Sequence, residues 1–122
     1  MKYHGVVWAG VYVEDLKASI IFYENVLGLT LLGMGEDWAH FDAGNGSLLE
    51  LFSGGTASGE AESADGQAIV LGLRVDNLDS ALAELKGRGV QFTDDFGEFE
   101  GTRWAHFLDI KGNGLEIKEI PQ

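Results

Sequence analysis

Apolar and polar positions along the chain fall into strand-like alternation, then helical spacing, then alternation again, and this order occurs twice. Residues 5–13 are apolar and β-prone and predict a first strand. Leu16, Ile20, Tyr23 and Leu27 then recur at helical spacing. Asp15 before them suits an N-cap, and Gly28 after them stands where a left-handed C-terminal residue is wanted. Strands are predicted over 29–35, 38–43 and 47–53, the last two joined by a hairpin turn at Gly44-Asn45-Gly46. Residues 54–67 are poor in large apolar side chains and rich in Gly, Ser, Ala and Glu, the composition of a linker. The order then restarts. A strand is expected over 68–75, a helix marked by Leu78, Leu82 and Leu85, and strands over 90–94, 103–109 and 115–120.

At one point the recurrence is literal. Trp38-Ala39-His40-Phe41 returns 66 residues later as Trp104-Ala105-His106-Phe107, and the same offset carries Gly46 onto Gly112 and Glu50 onto Glu116. Upstream, Val13-Glu14-Asp15-Leu16 matches Val75-Asp76-Asn77-Leu78 at an offset of 62, so the second half has four extra residues between its helix and its WAHF strand. Two copies of a long unit imply a pseudo-twofold domain rather than a solenoid. The expected organisation is one domain over 1–122: module 1 at about 1–53, a linker at about 54–67 and module 2 at about 68–122, each β-α-β-β-β.

Composition narrows the partners. A chain of 122 residues is ordinary for one domain. Its apolar runs are too short to span a bilayer, and it does not open with the charged-then-apolar layout of a signal peptide. Cysteine is absent, which removes disulfide and thiolate chemistry and permits a reducing, cytoplasmic setting. With 20 carboxylates against 8 Lys and Arg the net charge is −12, and a polyanion such as nucleic acid would be repelled.

Candidate chemistry follows from the hairpins. With three-residue turns centred on Asn45 and Lys111, His40 lies opposite Glu50 and His106 opposite Glu116, and alternation puts Trp38 and Trp104 on the same faces. A two-residue turn would slip the register by one and break both pairs. Each half therefore presents a Trp, a His and a Glu together. A solvated sheet face accounts for one such trio; its appearance in both halves favours a lined groove.

Val13-Glu14-Asp15-Leu16, Phe22-Tyr23-Glu24-Asn25-Val26-Leu27-Gly28-Leu29 and the stretch from Phe107 through Asp109, Gly112, Asn113 and Glu116 to Ile117 resemble the vicinal oxygen chelate superfamily. This is the glyoxalase, bleomycin-resistance and extradiol-dioxygenase group. Ile110 and Lys111 depart from its Asp-Pro-Asp-Gly-Asn ending. The resemblance implies an α+β fold: two pseudo-twofold-related βαβββ modules forming a curled mixed sheet around a cleft, with the helices outside. It also implies a homodimer, and in many members a divalent metal held by first- and last-strand residues of each module. The last-strand carboxylates match as Glu50 and Glu116, but the first-strand histidine positions hold Trp8 and Val70, which cannot ligate a metal.

Two readings stand against each other. One is a glyoxalase/bleomycin-resistance-like protein that binds a small aromatic or cationic molecule without metal or other cofactor. Trp8, Trp38, Trp104, Tyr12 and Val70 would line its site, with Glu50 and Glu116 favouring a cation. Arg74, in step with Val70, would clamp an anionic group or else sit in solvent. The other is a lyase, isomerase or dioxygenase whose metal, zinc, nickel or iron, has moved to His40, Glu50, His106 and Glu116. A metal-independent enzyme using a His–Glu pair as acid and base is a variant of the second. His4 is expected at the surface, and Glu60, Glu62 and Asp65 in a loop that is solvated or covers the cleft.

Overall fold

The computed structural model describes residues 1–54, 70–93 and 96–121. The chain divides into two compact units, Met1–Thr56 and Ala57–Gln122, and each is a βαβββ module built on a mixed four-stranded sheet. Glu60, Glu62 and Asp65 lie outside the described residues.

In module 1, strand β1 (Trp8–Tyr12) leads into helix α1 (Leu16–Ile21), followed by β2 (Thr30–Met34), β3 (Trp38–Gly44) and β4 (Ser47–Phe52). The sheet order is β1-β4-β3-β2, with β1 parallel to β4 and the other pairs antiparallel. Asp15 caps α1 as predicted, its Oδ1 accepting from the Ala18 amide at 3.1 Å. The helix continues through a π turn, Phe22–Val26, and ends at Gly28 with φ +83°. That extra turn brings Phe22 and Tyr23 into the core, where they are buried with Val13, Ile20, Ala39, Phe41, Leu49 and Leu51. Strand alternation sends Ala39, Phe41, Leu49 and Leu51 to the helix side, with Phe41 6.0 Å from the Tyr23 ring.

Module 2 repeats the plan with β5 (Leu71–Arg74), α2 (Leu78–Gly87), β6 (Gly97–Phe99), β7 (Thr102–Leu108) and β8 (Gly114–Glu119), in the order β5-β8-β7-β6. Asn77 caps α2 through the Ser80 amide at 2.8 Å, and Glu119 Oε1 takes the Leu78 amide at 2.7 Å. Leu78, Leu85, Val90, Ala105, Phe107, Leu115 and Ile117 are buried. Among the described residues no helix is long and apolar enough to cross a membrane.

The structure corrects two expectations. The strand predicted over 90–94 is no ladder strand among its described residues: Val90 is core, and Phe92 makes a single bridge to Phe107. The ladder partner of β7 on this side is β6, which the sequence reading left out; it is short and joined to β7 through Glu100 and Gly101, both with positive φ. The first hairpin also turns differently. Its loop has only two residues, Asn45 (φ +50°) and Gly46 (φ +81°), yet His40 still faces Glu50. A bulge between Asp42 and Gly44 inserts one residue and restores the register that a two-residue turn alone would have shifted. In module 2 the predicted three-residue turn is present, closed by the Asp109 amide on the Asn113 carbonyl at 2.9 Å, and His106 faces Glu116.

Candidate functional site

Opposite the helix, each sheet carries side chains in rows that run across its strands. The central row of module 1 is Gly10 (β1), Glu50 (β4), His40 (β3) and Gly33 (β2); that of module 2 is Gly72 (β5), Glu116 (β8) and His106 (β7). His40 Nε2 is 2.9 Å from Glu50 Oε2, and His106 Nε2 is 2.9 Å from Glu116 Oε1. In this geometry the carboxylate accepts, so each Nε2 carries the hydrogen. Both carboxylates are only 15% exposed, and each has its second oxygen engaged too. Here the modules diverge. The Trp8 indole N–H donates to Glu50 Oε1 at 3.0 Å, whereas the Lys118 ammonium lies 3.1 Å from Glu116 Oε2.

The flanking row explains more of the design. In module 1 it is Tyr12, Phe52 and Trp38, with Tyr12 stacked on Phe52 at 5.2 Å, and Phe52 also 6.3 Å from Trp8. In module 2 the same positions are Arg74, Lys118 and Trp104, ending on Gly97. Each of Trp38 and Trp104 packs its indole against a glycine, Gly35 and Gly97 respectively, where any Cβ would collide with the ring. Trp38 sits 4.8 Å from the His40 ring, and Lys118 Nζ lies 5.5 Å over the Trp104 ring.

The candidate site residues of the two sheets can now be placed. Trp8, Tyr12, Trp38, His40 and Glu50 share one face of the first sheet; Arg74, Trp104, His106 and Glu116 share one face of the second. Val70 precedes β5 and is exposed. Phe52 and Lys118 were missed, although each stands two residues beyond its glutamate and alternation alone puts it on the glutamate's face.

Within a single module the donors are fewer than the superfamily's customary metal site takes. Zinc, nickel and iron sites draw three or four ligands rich in imidazole. Within a module one histidine and one glutamate meet, and among the described residues no third His, Cys, Asp or Glu joins them. At the first-strand position of module 1, moreover, an indole N–H points at the carboxylate, a donor where a ligand lone pair would be needed.

Known proteins agree on the architecture. The chain superposes on a glyoxalase/dioxygenase from Nostoc punctiforme with a TM-score of 0.79 at 22% identity, covering 98% of this chain and 92% of that one. A lactoylglutathione lyase from Agrobacterium tumefaciens gives a TM-score of 0.74 at 19% identity, covering 98% and 96%. TnmS3, an antibiotic binding protein from Streptomyces sp. CB03234, gives a TM-score of 0.74 at 25% identity and covers 99% of each chain. A search of curated proteins found no match. Residues 5–117 match the family pattern of the Glyoxalase/Bleomycin resistance protein/Dioxygenase superfamily, and the chain belongs to that superfamily.

Proposed function

We propose that the protein binds a small, flat, cationic molecule without a metal, on the aromatic face of module 1. One observation carries the reading: Trp8 occupies the first-strand position and donates its indole N–H to Glu50. The carboxylate is thus held by Trp8 and His40 amid the rings of Tyr12, Phe52 and Trp38. Ring faces attract a cation by about 0.5–2 kcal/mol each, and a carboxylate in their midst adds Coulomb attraction at short range. The antibiotic-binding neighbour supports a sequestering role. A homodimer, as the resemblance implies, and the cytoplasm, which a cysteine-free chain permits, complete the proposal.

An acridinium dye titrated into the protein tests it. Quenching of tryptophan fluorescence is expected, with about tenfold weaker binding for Glu50→Gln, the loss of roughly one short-range charge contact. Metal analysis of the purified protein is the opposing arm. Stoichiometric zinc, nickel or iron, lost on His40→Ala or His106→Ala, would overturn the reading in favour of an enzyme with a rearranged metal site.

A further inference from the structure

The second module differs from the first in the row that flanks its glutamate. Where module 1 has Tyr12 and Phe52, module 2 has Arg74 and Lys118, which are direct cross-strand partners on one face. Like charges placed opposite each other in a sheet repel, so the arrangement carries a cost unless something negative lies between or above them. Glu116 answers for Lys118 at 3.1 Å. Arg74 is exposed, and its hydrogen bond to the Ile120 carbonyl oxygen is a long one, 3.4 Å from Nη2. Among the described residues no ion pair is found for its guanidinium. Arg74 also borders a hollow of about 210 Å³ completed by Val75, Asp76, Glu119, Ile120 and Pro121, which Lys118 and Trp104 do not line, so the Arg74–Lys118–Trp104 row lies on the sheet face beside it.

We infer that Arg74 and Lys118 form an oxyanion subsite of module 2, taking the carboxylate of an aromatic acid whose ring rests against Trp104. Lys118 already sits over the Trp104 ring, so a ring and a charge are met by adjacent side chains of one row. The guanidinium offers two parallel N–H donors to a carboxylate, and the ammonium a third. Two carboxylates border the hollow and set its limits. Glu119 is committed to the Leu78 amide at 2.7 Å and stands 4.0 Å from Arg103. Asp76 lines the hollow and opposes an incoming anion. The subsite shares with the proposed function only the premise that ring faces on these sheets receive a ligand. It needs neither Glu50 nor a cationic probe.

The test compares 1-naphthoate with its neutral counterpart, 1-naphthalenemethanol, by following the indole N–H resonances of the three tryptophans in proton–nitrogen spectra. Naphthoate is expected to bind at least tenfold tighter than the alcohol and to move the Trp104 signal. Arg74→Met and Lys118→Met should each abolish that preference, and Asp76→Asn should increase it. Equal affinity for acid and alcohol, or a preference that survives both methionine variants, overturns the subsite. Failure of the acridinium titration together with a retained naphthoate preference would sink the proposed function and leave the subsite intact. 1-Naphthyl phosphate is a third probe: binding tighter than naphthoate, with the same dependence on Arg74 and Lys118, makes the natural group a phosphate and overturns the carboxylate assignment.

Discussion

Trp8 and Lys118 do equivalent work on two equivalent carboxylates, one through an aromatic N–H and the other through a full charge. Trp8→Phe keeps the ring and removes the donor, so Glu50 retains His40 alone. We expect a loss of about 1 kcal/mol in urea unfolding, the size of one hydrogen bond to a carboxylate that water can partly replace. Ser19 poses the opposite case. Its side chain is fully buried in α1, and among the described residues its hydroxyl finds no partner. A buried unmet hydroxyl costs on the order of 1–3 kcal/mol, so Ser19→Ala should leave stability unchanged or raise it. A fall of more than about 1 kcal/mol would mean the hydroxyl is bonded after all. Asp79 and Arg103 supply a pH effect. The Arg103 hydrogen bond and charge hold the Asp79 carboxyl below its ordinary value of 3.8, with Asp79 exposed and Arg103 half-buried. A carboxyl depressed in the folded state stabilises above its unfolded pKa, and that contribution fades as pH falls through the folded one. Acid unfolding curves of Asp79→Asn and the parent should therefore differ slightly near neutrality and merge at the acid end.

Among the elements, the hairpins show what a sequence states and what it withholds. Facing pairs were legible because side-chain alternation fixes parity, and the repeated WAHF stretch fixed where to count from. How the first turn reaches that register was not legible. Asn45-Gly46 is a two-residue turn signal and Gly44-Asn45-Gly46 a three-residue one, and only the bulge before Gly44 reconciles them. Strand β6 was hidden for a different reason. Residues 90–93 alternate apolar and polar and imitate a strand, but Val90 goes to the core and Phe92 packs its ring on Phe107 at 5.6 Å. Three residues with an exposed Phe99 and a glycine under Trp104 leave little periodicity to read. The second hairpin depends on Asp109, which is 6% exposed and takes the Lys111 and Asn113 amides on Oδ1 and the Asn113 side-chain amide on Oδ2. Asp109→Ala removes three bonds from a buried acceptor, and a loss of about 2–4 kcal/mol is expected in thermal or urea unfolding. With the turn loosened, the His106 ring resonances should also shift, because its position opposite Glu116 is set by this turn.

For the molecule as a whole, charge decides how the two kinds of probe behave with salt. The net charge of −12 attracts a cation and repels an anion from a distance, while Arg74 and Lys118 attract an anion only close by. Salt screens the distant field first: at about 0.01 M the screening length is roughly 30 Å, and at 0.1 M it is about 10 Å. Charges within a few ångströms of a bound carboxylate keep most of their effect over that range. Acridinium binding should thus weaken steadily as salt rises from about 0.01 to 0.1 M, since the general field and the local carboxylate pull the same way. Naphthoate binding should instead strengthen over the same range, because screening removes repulsion before it reaches the attractive pair. Opposite signs of the two slopes, measured by titration at matched temperature and pH, follow from the acidic field acting on both probes, and Arg74→Met should then weaken naphthoate at every salt concentration if the local pair holds it. Parallel weakening of both would mean that local cationic charge outweighs the acidic field at the anion, and indifference of both would mean that the general field reaches neither site.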